Sequence, residues 1–72
     1  MNEELYEILD IIYDSELGFN KNELSSMLEI NSFDLDLYLN YLLDKGVLKL
    51  EGELYIPQVE YDIALDLLSK GV

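Results

Sequence analysis

Residues 35–57 run LDLYLNYLLDKGVLKLEGELYIP, and a change of period inside this stretch decides the fold. Up to Lys45 the apolar residues recur at helical spacing, with Leu35, Tyr38, Leu39, Leu42 and Leu43 on one broad face. Gly46 stops this helix, expected over about 32–45 from a cap at Asn31 or Ser32. From Val47 the period is two. Two short alternating segments flank Gly52, which predicts a β-hairpin over 47–56 with Gly52 supplying the positive φ of a tight turn. Alternation sets Leu48 and Leu50 on one face, and Leu54 and Ile56 likewise, with Lys49, Glu51, Glu53 and Tyr55 facing away. Pro57 ends the second strand and suits the first position of a helix.

Upstream, Leu5, Ile8, Leu9 and Ile12 form one apolar stripe, so a helix is expected over about 3–15, stopping near Gly18. Glu3, Glu4 and Glu7 load its first turns, where the helix dipole favours negative charge. Phe19 is read as a short extended bridge. Asn20 then caps a second helix over about 21–29, with Glu23 completing a variant of the capping box. Leu24, Met27 and Leu28 follow at helical spacing, and Ile30 turns inward. Downstream, a last helix over about 58–70 has Val59, Ile63 and Leu67 on one side. Tyr61, Ala64, Leu65 and Leu68 lie roughly opposite. Tyr6 and Tyr13 on the first helix either pair with this last helix or sit at the core edge with wet hydroxyls.

The whole chain, 1–72, is read as one domain that is mostly α with a small β-hairpin. Half of its 72 residues are apolar and eight are aromatic, too many for a disordered acidic tail. Sixteen Asp and Glu stand against four Lys, with no Arg, His or Cys, for a net charge of −12. Disulfides and thiolate metal sites are thereby excluded. No apolar run approaches the ~20 residues of a membrane span. The acidic Met1-Asn2-Glu3-Glu4 start is unlike the basic start of a signal peptide, so a soluble cytoplasmic protein is expected.

The order of three helices, a hairpin and a closing helix resembles a winged helix-turn-helix domain. The segment from Asn20 to Pro57 carries the resemblance. Glu23-Leu24-Ser25-Ser26-Met27-Leu28 is similar to that family's second helix. Leu35-x3-Leu39-x2-Leu42-Leu43-x-Lys45-Gly46-Val47-Leu48 is similar to its recognition helix entering the first wing strand, and Glu51-Gly52-Glu53 sits at the wing tip. The resemblance implies DNA binding, with the third helix in the major groove and the wing near the backbone.

The residues in those positions point elsewhere. The groove side of the third helix would be Phe33, Asp34, Leu37, Asn40, Tyr41 and Asp44. Base readout relies on Arg and Lys, with Asn or Gln for adenine, and only Asn40 fits. The wing would bring Glu51 and Glu53 toward phosphates, with Lys49 its lone cation. Ordinary duplex binders make ~6–10 phosphate contacts, whereas this chain owns four lysines in total, Lys21, Lys45, Lys49 and Lys70.

The leading expectation is therefore a non-enzymatic protein-interaction module that binds a partner with a basic surface. Phe33, Asp34, Leu37, Asn40, Tyr41, Asp44, Glu51 and Glu53 are its candidate contacts. In a sharper form it is a DNA mimic, with Asp34, Asp36, Asp44, Glu51, Glu53, Asp62 and Asp66 standing in for phosphates. The alternative is a dimeric DNA-binding transcriptional regulator. The Phe33–Leu37–Tyr41 stripe has two readings, a partner site or packing within the chain. The last helix has three: intrachain packing, homodimerisation, or amphipathic spill-over.

Catalysis is not expected. Without His or Cys the usual nucleophile–base pairs cannot be built, so Ser25 and Ser26 lack an activating imidazole. The four glycines are isolated and form no phosphate loop. Asp34-x-Asp36 starts like a calcium loop, but the required Gly and closing Glu are missing. No metal or cofactor is expected. An amphipathic membrane helix is disfavoured because the polar faces are anionic.

Overall fold

The computed structural model describes residues 3–70; Met1, Asn2, Gly71 and Val72 of the expected 1–72 domain lie outside it. Four helices and one hairpin follow in the order α1 (Glu3–Asp14), α2 (Lys21–Leu28), α3 (Ser32–Asp44), β1 (Leu48–Glu51), β2 (Leu54–Pro57) and α4 (Tyr61–Lys70). The core is the set of stripes read from periodicity. Leu5, Ile8, Leu9 and Ile12 of α1 meet Leu24 of α2, Leu35, Leu39 and Leu42 of α3, and Ala64 and Leu68 of α4. Ile30, Val47 and Leu48 close it. No helix of the described residues is long and apolar enough to cross a membrane.

The connections are set by local hydrogen bonds. Ser15 Oγ accepts from the N–H groups of Leu17 and Gly18 and ends α1 one residue before the expected boundary. The capping box at α2 is present. Asn20 Oδ1 accepts from Glu23 N at 2.8 Å, and Glu23 Oε1 accepts from Asn20 N at 3.0 Å. Of the two candidates for the α3 cap, Asn31 fills the position, its Oδ1 accepting from Asp34 N at 2.9 Å. Phe19 is an extended bridge as expected: its N–H donates to Tyr55 O at 3.3 Å and its carbonyl accepts from Tyr55 N at 2.8 Å.

Two expectations about the hairpin and its exit are corrected. Gly52 and Glu53 form a two-residue turn, so Glu51 pairs with Leu54, Leu50 with Tyr55, Lys49 with Ile56 and Leu48 with Pro57. Directly opposed residues in an antiparallel pair share a face. Tyr55 therefore lies on the side of Leu48 and Leu50 and packs against the core, while Leu54 and Ile56 share the opposite side with Lys49 and Glu51. Leu50 is 48% exposed rather than inward. Pro57 belongs to the ladder and opens no helix. Gln58 N still bonds Val47 O at 2.9 Å, and α4 begins only at Tyr61.

Tyr13 ties this exit to α1. Its hydroxyl donates to Val59 O at 2.6 Å, with Val47 O also within 3.3 Å, and its ring meets that of Tyr61 edge-on at 5.4 Å. The hydroxyl is thus bonded to carbonyls rather than held by solvent. Burial pushes the phenol above its ordinary 10.0. The protonated form is the one the fold favours, so its contribution is complete below pH 10 and fades as pH rises through the raised value. Tyr13→Phe is expected to cost about 1 kcal/mol at neutral pH and to flatten the loss of stability above pH ~10, as followed by urea denaturation at several pH values.

Candidate functional site

The outward side of α3 is created by what its other side buries. Leu35, Leu39 and Leu42 have no exposed surface, and their spacing turns Phe33, Leu37, Asn40 and Asp44 outward. Phe33 is 71% and Leu37 56% exposed, so intrachain packing of this stripe is ruled out for those two residues. Tyr41 is half-buried at the edge, with the Lys45 ammonium 5.6 Å from its ring centroid. Leu37, Asn40, Tyr41, Leu43 and Asp44 line one shallow depression along the helix. Asp34 stands at the first turn of α3, where Asn31 Nδ2 donates to its Oδ2 at 3.0 Å. That placement also suits the positive end of the helix dipole.

Glu51 and Glu53 are exposed at the hairpin and do not line this depression. Glu53 instead shares a second hollow, of about 320 Å³, with Asn20, Lys21, Asn22, Leu50, Gly52 and Tyr55. The eight candidate contacts therefore form two groups: six on α3 and two at the hairpin tip.

Cations near these groups are engaged. Lys21 Nζ lies 2.8 Å from Asp36 Oδ1, a contact that raises the pKa of the ammonium. Lys49 Nζ is 3.3 Å from Glu51 Oε2, and Lys45 sits over Tyr41. Each of the three lysines whose side chains are described thus has an acidic or aromatic partner in place. Among the described residues no three carboxylates converge to hold a metal ion.

Sequence reasoning passed over a further, mostly apolar hollow lined by Phe19, Asn22, Glu23, Ser26 and Met27, with Met27 exposed on α2. The available signal was Met27 itself, one apolar residue beyond what a two-turn helix can bury beside Leu24. On α4, Ala64 and Leu68 face the core while Asp62, Ile63 and Asp66 are exposed. No family model matches the chain, nor does any curated protein or solved structure.

Proposed function

We propose that this chain is an acidic winged-helix module that acts by contact with a basic protein surface and carries out no catalysis. The element order supports the winged-helix reading, with Phe19 bridged to β2 as a rudimentary third strand. The observation that carries the functional reading is the outer side of α3. Two large apolar side chains, Phe33 and Leu37, stand in solvent beside Asp34, Asn40 and Asp44, with Tyr41 at the edge. An apolar centre with an anionic rim matches a basic partner: burial of the rings supplies affinity, and the carboxylates steer the approach. The same rim repels phosphates, and the engaged lysines offer a duplex few counter-charges. In its sharper form the module occupies the nucleic-acid site of its partner, with the carboxylates taking the places of phosphates.

The test is a competition. A basic partner, obtained by affinity capture on this protein, is titrated with duplex DNA and with this protein, and the two are expected to exclude one another. Asp34→Lys, Asp44→Lys and Tyr41→Ala are each expected to weaken the complex by about tenfold, the scale of a loss of ~1.4 kcal/mol at an interface anchor or desolvated charge. The complex should also weaken with added salt. Unchanged affinity in all three variants rejects this surface. Retardation of a palindromic duplex by the protein alone, in about 100 mM salt, would instead establish the dimeric DNA-binding regulator.

A further inference from the structure

We infer that the outer edge of β1 is a self-association site, at which a second copy of the chain adds its own β1 antiparallel and in one register. The hydrogen-bond directions lead to it. Tyr55 spends both its N–H and its carbonyl on Phe19, on the side of β2 remote from β1. Leu50 lies directly opposite Tyr55. In an antiparallel ladder a residue opposite such an outward-pointing partner also directs its polar groups outward. The N–H and carbonyl of Leu50 therefore point to the free side of β1. No bond to either is present among the described residues, and the Leu50 side chain is 48% exposed.

Charge selects the register. Lys49 and Glu51 flank Leu50 and share the solvent side of the strand, where they pair with each other at 3.3 Å. A twofold axis at Leu50 sets Leu50 opposite Leu50 of the second copy and exchanges both of their backbone hydrogen bonds. The same axis places Lys49 opposite Glu51 and Glu51 opposite Lys49. The two ion pairs merge into an alternating square of four charges. Shifting the axis to Lys49 would set lysine against lysine and is disfavoured. The edge is thus complementary to itself and, with one cation and one anion, locally neutral. The net charge of −12 per copy opposes association at a distance, so salt strengthens the pair. That sign is opposite to the one expected for a complex with a basic partner, and the two interactions can fail independently.

Light scattering and sedimentation equilibrium in about 1 M salt, where the screening length falls to ~3 Å, test the edge. The wild-type protein is expected at twice the chain mass. Lys49→Glu opposes four carboxylates and, compared with the wild type at about 0.15 M salt, where a screening length of ~8 Å leaves that contact repulsion in place, should raise the dissociation constant about tenfold or more. The exchanged double variant Lys49→Glu/Glu51→Lys restores the square and should recover wild-type association. Leu50→Pro removes the outward N–H and should leave a monomer, with circular dichroism reporting that the helices persist. A monomeric wild type overturns the inference. So does a dimer that Lys49→Glu leaves intact, or one that the exchanged variant fails to recover.

Discussion

Leu39→Ala is expected to remove a large part of the chain's stability at 25 °C. Leu39 sits in the middle of α3 with no exposed surface, between the stripes of the neighbouring elements. Truncating such a leucine costs about 3–5 kcal/mol, because the lost transfer energy is joined by a cavity that the surroundings only partly fill. A domain of this size has a total stability of about 4–11 kcal/mol, and near the lower end the loss is nearly complete. Leu37→Ala is the matched control, the same change two residues earlier on the same helix. With Leu37 56% exposed, it should shift stability by no more than ~0.5 kcal/mol. Urea denaturation of the two variants reads the difference directly. Equal losses would mean that the side of α3 assigned to a partner is part of the core.

Gly18→Ala has the second large effect. A Cβ at this position would lie 2.5 Å from Ile56 Cγ2 and 2.6 Å from the Tyr55 carbonyl oxygen, and the backbone there has φ +82°. The isoleucine methyl can turn aside. The carbonyl oxygen cannot, because Tyr55 is held in the ladder and bonded to Phe19. Left-handed backbone costs a residue with a Cβ about 1–2 kcal/mol before any clash, and the clash adds to it. Gly46→Ala isolates the first contribution, since its φ of +78° is similar and nothing lies within 4 Å. Gly46→Ala should lower the melting temperature by roughly 4–16 °C and Gly18→Ala by clearly more, at ~4–8 °C per kcal/mol for so small a domain. Amide exchange at Phe19 and Tyr55 should accelerate strongly in Gly18→Ala and little in Gly46→Ala. Comparable melting shifts would remove the close approach as the cause.

Both variants touch features with very different visibility in the sequence. The buried side of α3 was legible because Leu35, Leu39 and Leu42 repeat at helical spacing and no other period accommodates them. The caps at Asn20 and Asn31 were legible because their chemistry is local. The side assignment of β2 was not, since the parity of a hairpin rests on its loop length. A two-residue turn pairs Glu51 with Leu54 and moves Tyr55 to the inner side, whereas alternation alone is satisfied by either choice. The start of α4 was misplaced for a related reason. Pro57 is compatible with both a first helical position and a strand end, and the bond from Gln58 to Val47 that decides between them spans a long stretch of chain. The exposure of Phe33 and Leu37 lay beyond sequence reasoning altogether. A mixed apolar and acidic stripe fits a partner or a neighbouring helix equally well until the positions of α1 and α4 are known. The eight candidate contacts divide between α3 and the hairpin: Leu37, Asn40, Tyr41 and Asp44 line one hollow, Glu53 lines the other, and Phe33, Asp34 and Glu51 line neither.

Pro57 and the Phe19 bridge have a consequence for how far this small sheet can grow. Pro57 stands opposite Leu48, at a position whose N–H would point away from β1, so its missing donor costs the hairpin nothing. The same missing donor, together with Phe19 seated on Tyr55, denies an incoming strand a continuous row of partners along β2. A ribbon propagates only through molecules with two open margins, and among the described residues this one has a single margin. Addition of one strand at β1 exhausts it, so assembly through the sheet terminates as a closed pair and does not run on into fibres.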